Sequence, residues 1–171
     1  PGVYDWTLWD RALAACGRHG LEPVIDLCHF GLPDHYAGFC GAGWVDGFTR
    51  YVEAFLARYP EPRWFTPVNE PGITAMFSAR LGMWNDRLAT EGDYFTALGN
   101  IALANLEALR LVRADRDGWW IGSEGFGCHL TDPDDATAAQ AATDARDLAY
   151  AVWDLHSGVA PRGLAARGSE A

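Results

Sequence analysis

The sequence predicts an α/β fold in which parallel strands alternate with crossover helices. Four segments carry apolar residues at helical spacing, and three short apolar runs of strand length separate them. Consecutive strands that are joined by a helix lie parallel in one sheet. The polar residues His29, Asn69, Glu70 and Glu124 lie at or just after the C-terminal ends of the three runs, which is typical of a functional rim in a parallel-strand protein.

The first half of the chain contains two predicted helices and one predicted strand. Apolar spacing predicts a helix over residues 4–18, and the run VIDLCHF after Pro23 predicts a strand over 24–30. A Gly/Pro-rich loop over 31–43 follows. The next apolar stripe predicts a helix over 44–59 that ends before two prolines.

The second half repeats this alternation. The run RWFTPV predicts a strand over 63–68, and a long loop containing Trp84 leads to a helix over 93–113. The run WWIGS predicts a strand over 119–123. A last helix is expected over 135–155, with Asp135 as its N-cap.

This order fits either a doubly wound sheet or a (β/α)8 TIM barrel. A dinucleotide-binding sheet needs a glycine-rich turn directly after a strand, and the glycines at 41 and 43 lie far from any predicted strand end. The strands begin near residues 23, 63 and 119, and eight units at this spacing need roughly 380 residues. We therefore predict a partial barrel, in which residues 1–157 form a central part and 158–171 a frayed C-terminal end.

Composition excludes several classes of partner. The formal net charge is −10 and all 13 basic residues are arginine, without a basic run, which argues against nucleic acid or an anionic membrane surface. No uninterrupted apolar run approaches the ~20 residues of a membrane span. The sequence makes no prediction of oligomeric state.

Cysteine usage predicts reduced thiols in a cytoplasmic protein. The four cysteines are thinly spread and form no CxxC pair. The dipeptides Cys28-His29 and Cys128-His129 raise the alternative of a zinc site. Because neighbouring residues on a strand point to opposite faces, each pair can offer only one ligand to the same space. We predict no metal and no cofactor.

Three motifs in order resemble a known enzyme family. The segment Thr66-Pro67-Val68-Asn69-Glu70-Pro71 resembles the TxNEP signature of glycoside hydrolase family 1, the β-glucosidase-like retaining glycosidases. Upstream, CHFGLP (residues 28–33) resembles that family's YHWDLP segment, and GLEP (20–23) resembles its GIEP segment. The resemblance implies that the chain holds about strands 3–5 of the barrel, and that its substrate is a carbohydrate glycoside.

The resemblance also implies roles for individual residues. Glu70 would be the general acid/base after the fourth barrel strand, while Asn69 would bind the sugar 2-hydroxyl and His29 the 3-hydroxyl. A retaining glycosidase needs one carboxyl group that protonates the leaving oxygen and then activates water, as implied for Glu70. A simpler reading of Glu70 is a helix-start residue beside Pro71, where the helix dipole favours a carboxylate.

Two further residues are candidate substrate-binding groups. Trp84, in the loop that should cross the barrel mouth, offers an aromatic face for a sugar ring, with plain loop packing as the alternative. Glu124 follows the strand next to that of Glu70, so we expect a substrate-binding or solvated carboxylate there. The alternative is a second carboxylate acting beside Glu70.

The family's nucleophile, a Glu in an (I/V)TENG segment after the seventh strand, is absent from these 171 residues. Phe30 and Gly31 stand where the family has Trp and Asp. We therefore predict the acid/base-bearing fragment of a retaining O-glycosidase that hydrolyses β-glycosides, inactive alone. The alternative is a non-hydrolytic sugar-binding or regulatory barrel attached to a sugar-nucleotide reductase, since CHFGLP, TPVNE and WNDR also resemble a divergent subgroup fused to dTDP-4-dehydrorhamnose reductase-like domains.

Overall fold

The computed structural model describes residues 3–125, 127, 131–132 and 134–161. Apart from short helical turns over 71–80, the helices and strands follow one another in the predicted alternation. The elements are α1 (Thr7–Arg18), β1 (Val24–Asp26), α2 (Trp44–Arg58), β2 (Trp64–Thr66), α3 (Pro71–Ala75) with a π-helical turn at Met76–Arg80, α4 (Glu91–Asp115), β3 (Trp119–Trp120) and α5 (Ala136–His156).

The three strands form one parallel sheet in the order β1-β2-β3. Trp64 of β2 pairs in register with Val24 on one side and with Trp119 on the other. The central strand is therefore β2, whose C-terminal end leads directly to Asn69 and Glu70.

All three strands are shorter than predicted, and Pro67 explains part of the difference. Leu27 N–H still donates to the Thr66 carbonyl at 3.1 Å, and Asn69 N–H donates to the Cys28 carbonyl at 3.0 Å. Pro67 lies between these two bonds and has no N–H to continue the regular ladder. The chains thus run side by side beyond the assigned strands, and His29 lies in the loop after β1 rather than at the end of a long strand.

Residues 71–80 form helical turns where the sequence predicted a loop, so that expectation is wrong. The segment is only five residues of α-helix and five of π-helix, too short for apolar periodicity to be visible. The following helix, α4, begins two residues earlier than predicted because Thr90 caps it, accepting from Asp93 N–H at 3.1 Å. The predicted Asp135 cap of α5 is confirmed, since its carboxylate accepts from the amides of Thr137 and Ala138.

One face of the sheet packs against the helices and forms the core. Ile25 and Phe65 are fully buried, and the Phe65 ring meets Phe55 of α2 edge-on at 6.4 Å between centroids. Helix α4 is long and apolar enough to cross a membrane by length and composition, with a mean hydropathy of 1.2 in its most apolar window. It instead packs against α2, α3 and α5 as the central core helix, with nine buried residues.

The other face of the sheet remains largely uncovered. The rings of Trp64 and Trp119 stack on it at 6.1 Å between centroids. Trp119 and Val24 are each 53% exposed on the same face. Among the described residues, β1 and β3 each pair on one side only, so both sheet edges are open there.

Candidate active site

Three strand ends bring the predicted site residues to one edge of the sheet. His29 follows β1, Asn69 and Glu70 follow β2, and Glu124 follows β3. Because the strands are parallel and adjacent, their carboxyl ends meet at the same edge. The hydrogen bond between Asn69 N–H and the Cys28 carbonyl links two of these strand ends directly.

Glu70 has an unusual backbone conformation. Its φ of 42° and ψ of 63° lie in the left-handed region, which costs a residue other than glycine about 1–3 kcal/mol. It is at the same time the N-cap residue of α3, with Pro71 in the first turn. Thr74 N–H donates to the Glu70 carbonyl at 2.8 Å, and the Thr74 hydroxyl donates to the Asn69 carbonyl at 3.0 Å. The surrounding hydrogen bonds therefore hold Glu70 in a strained turn at the strand end.

The Glu70 and Asn69 side chains are available for a ligand. Both residues are half-buried, and the Glu70 side chain does not cap the helix that it precedes. A Cβ placed on Gly125 would lie 3.6 Å from Glu70 Oε1, so the carboxylate projects towards the chain after β3. Within the described part of the chain, neither side chain forms a hydrogen bond.

Glu124 binds the backbone at the start of α3. Its Oε2 accepts from Gly72 N–H at 2.6 Å, and its Oε1 accepts from Ile73 N–H at 3.2 Å and from Gly125 N–H at 3.0 Å. Burial raises the pKa of the Glu124 carboxyl above its usual value, and the charge of Glu70 acts in the same direction. The three amide donors oppose this rise in pKa because they stabilise the ionised form.

A carboxylate orients the His29 ring. Asp26, the last residue of β1, lies 2.7 Å from His29 Nδ1 through its Oδ2. Because an ionised carboxylate only accepts hydrogen bonds, this contact places the ring proton on Nδ1 and leaves Nε2 for a ligand. The His29 side chain is 62% exposed, so its Nε2 edge is accessible. The sequence places Asp26 within a strand and assigns it no role.

The loop after the π-helical turn carries Trp84 to the same edge. The Trp84 ring stacks on Phe77 at 4.7 Å and contacts Phe30 at 4.8 Å between centroids. Asn85 fixes the loop because its amide donates to the Phe30 carbonyl at 2.7 Å. Trp84 is thus held half-buried beside the residue that follows His29.

The described residues contain no group of three or more His, Cys, Asp or Glu side chains that could hold a metal ion. Cys16, Cys28 and Cys40 are free thiols, and burial raises the pKa of Cys28 to about 12. Cys128 and His129, half of the zinc alternative, lie outside the described residues, as does most of the predicted frayed end.

Comparison with known proteins gives a consistent set of similarities. The model of the family described as glycosyl hydrolase family 1 matches residues 6–157. An aryl-phospho-β-D-glucosidase of Bacillus subtilis is 29% identical over 98 residues, which is 54% of this chain and 20% of that protein.

Solved structures share the fold. A β-glycosidase from Pyrococcus horikoshii superposes with a TM-score of 0.81 at 16% identity, over 92% of this chain and 38% of that one. A family 1 β-glucosidase from Thermotoga maritima, solved with isofagomine lactam, superposes with a TM-score of 0.75 at 18% identity, over 83% and 33% of the two chains. The predicted partial (β/α)8 barrel is confirmed, and the chain spans about a third of these barrels.

Proposed function

The chain belongs to glycosyl hydrolase family 1, and on this premise we propose that it forms the acid/base-bearing part of a retaining β-glycoside hydrolase. The observation that carries the proposal is Glu70, whose carboxyl group forms no hydrogen bond to the described residues and is held in a strained turn after the central strand. Strained backbone of this kind is concentrated at functional sites, and catalytic groups of barrels lie at strand C-termini.

In this proposal Glu70 acts twice. Its carboxylic acid protonates the glycosidic oxygen as the bond to the leaving group breaks. Its carboxylate then removes a proton from the water that releases the sugar from the enzyme. Its half-buried position and its lack of a hydrogen bond to the described residues suit a group that must gain and lose a proton.

The residues beside Glu70 bind the sugar in this proposal. The Asn69 amide offers a donor and an acceptor next to Glu70, which suits a hydroxyl group on the reacting ring. His29 offers its Nε2 edge to a second hydroxyl, with Asp26 fixing the ring. Trp84 offers the part of its indole that Phe77 and Phe30 leave open to an apolar sugar face. The substrate class is therefore a β-glycoside whose reacting sugar carries free ring hydroxyls.

A second carboxylate is needed, and it comes from elsewhere in the barrel. Glu124 is engaged by three backbone amides, which argues against its acting as the nucleophile. The chain spans a fifth of its Bacillus relative and about a third of the solved barrels that it matches. We infer that a later strand of a longer protein supplies the nucleophilic Glu.

The test is the Glu70→Gln variant of the protein that contains the whole barrel. We expect hydrolysis of aryl β-glycosides with poor leaving groups to fall by about 10²–10⁴-fold. Substrates with good leaving groups need no acid for the first step, so that step should be far less affected. Azide should restore turnover of these substrates because it attacks the glycosyl-enzyme without a general base.

A matched control is the Glu53→Gln variant, which alters an exposed carboxylate on α2 and should leave all rates unchanged. Equal losses in kcat/KM, which reports the first step, for both leaving-group classes would contradict the role of Glu70. A full-length protein that binds sugars without hydrolysing them, and whose later strands carry no Glu, would favour the sugar-binding alternative instead.

A further inference from the structure

We propose that Glu124 is a positioning residue for Glu70, because it caps α3 in place of Glu70 and so leaves the Glu70 side chain free for chemistry. This role differs from the substrate-binding role expected from the sequence. The inference rests on the proposed function, since a positioned acid/base matters only where there is a reaction.

The backbone donors at the start of α3 are satisfied from another strand end. An N-cap residue ordinarily uses its own side chain to accept from the second or third backbone N–H of the helix. Glu70 occupies the N-cap position but does not do so. Pro71 has no N–H, and the next two donors, Gly72 and Ile73, both bind Glu124 from the neighbouring strand end. The donors that would attract the Glu70 carboxylate are therefore already satisfied.

The close approach of Glu124 depends on two glycines. A Cβ on Gly72 would lie only 2.8 Å from Glu124 Oε2, which is too close for a normal contact. A Cβ on Gly125 would lie 3.1 Å from Ile73 Cγ1 and 3.6 Å from Glu70 Oε1. The Gly125 N–H also donates to Glu124 Oε1, and this bond fixes the rotamer of the Glu124 side chain. The Glu70 and Glu124 carboxylates thus both lie near the start of α3, and Glu124 is the one that accepts from its amides.

The loss of Glu124 should have a defined consequence. Without it, the Gly72 and Ile73 amides lose this acceptor, and the Glu70 side chain, on the N-cap residue itself, is placed to replace it. If the Glu70 side chain turned to cap its own helix, the strained turn would relax. The Glu70 carboxyl group would then move away from the oxygen of the leaving group. Misplacement of a catalytic group by about 1 Å can cost on the order of 10²-fold in rate.

The experiment is a double-mutant cycle in the protein that contains the whole barrel, with Glu124→Ala and Glu70→Gln alone and combined. We expect Glu124→Ala to lower kcat/KM for poor leaving groups by about 10- to 100-fold, with kcat/KM for good leaving groups much less affected because their first step needs no acid. In the Glu70→Gln background, Glu124→Ala should add less than about twofold, since its effect passes through Glu70.

A second variant and a structural measurement cover the case in which Glu124→Ala folds poorly. Glu124→Gln keeps the shape and one acceptor, so it should fold and show a smaller loss with the same leaving-group dependence. Amide hydrogen exchange at Gly72 and Ile73 should be faster in the Glu124→Ala/Glu70→Ala double variant than in Glu124→Ala, where Glu70 can still accept from these amides, and should remain as in the wild type in Glu53→Ala.

The outcomes separate the two proposals. A raised KM with equal losses for both leaving-group classes, or full additivity in the cycle, would assign Glu124 to substrate binding and overturn the positioning role. If Glu70→Gln itself lacks the leaving-group dependence, the proposed function fails, and the positioning role fails with it. If Glu70→Gln behaves as expected and Glu124→Ala does not, only the positioning role fails.

Discussion

Substitution of Asn105 by Leu tests the polar link between the sheet and two helices. Asn105 of α4 is fully buried, and its Oδ1 accepts from Val68 N–H at 2.9 Å. Its Nδ2 lies 3.0 Å from His156 Nε2, while His156 Nδ1 lies 2.6 Å from the Val152 carbonyl. The link therefore runs from the backbone just before Asn69 through α4 to α5.

The magnitude follows from the groups that Leu would leave without partners. Leu has nearly the shape of Asn, so packing changes little, but the buried Val68 N–H loses its acceptor and His156 Nε2 loses its donor. A buried group without a partner costs about 1–3 kcal/mol, and His156 is less deeply buried than Val68. We expect Asn105→Leu to lower the free energy of unfolding by about 2–4 kcal/mol, a large part of a typical total.

The assay is equilibrium urea unfolding at pH 8, with Asn100→Leu as the matched control on the same helix. Asn100 Nδ2 donates to the Phe39 carbonyl at 2.8 Å, but that carbonyl also accepts from Trp44 Nε1 at 2.7 Å. No backbone group loses its only partner in this control, so its loss should stay below about 1 kcal/mol. Equal losses in the two variants, or a loss under about 0.5 kcal/mol for Asn105→Leu, would show that the Val68 N–H does not depend on Asn105.

Two further predictions concern pH and strain. Burial lowers the pKa of His156, so the stability contributed by its neutral form is present above pH ~6.5 and is lost as the pH falls through the lowered folded value. His156→Gln should therefore flatten the fall in unfolding free energy between pH 8 and 5, whereas His19→Gln at an exposed site should not; parallel curves would contradict this. Glu70→Asn should raise stability by about 0.5–1 kcal/mol in thermal unfolding, because Asn tolerates the left-handed region better than Glu does; a lower melting temperature would show that the Glu70 turn stores no strain.

The order of the main helices and strands could be predicted because the spacing of apolar residues within each segment indicates its type. The stripes of α2 and α4 and the cap at Asp135 are local features of the chain. The strand lengths could not be predicted, because they depend on which amides find partners across the sheet. Pro67 interrupts that pairing although the sequence around it reads as a continuous apolar run.

The grouping of His29, Asn69 and Glu70 followed from parallel topology, since residues after adjacent strands must share an edge. The contacts of Glu124 with Gly72 and Ile73 could not be predicted, because they join segments some 50 residues apart. The Asp26–His29 pair is closer in sequence and could have been suspected from its three-residue spacing. For the short helix after Glu70, the sequence contains one indication, which is the proline in its first turn.

The uncovered face of the sheet affects how this chain behaves in solution. Trp119 and Val24 are half-exposed there, and the edges of β1 and β3, which pair with no further strand in the part of the chain that the structure describes, offer backbone donors and acceptors. Such a surface is a template for another strand, so a second copy can take the place that further barrel strands would fill. Self-association at this face would stabilise the folded chain more strongly at higher protein concentration. The melting temperature of the chain alone would then rise with its concentration.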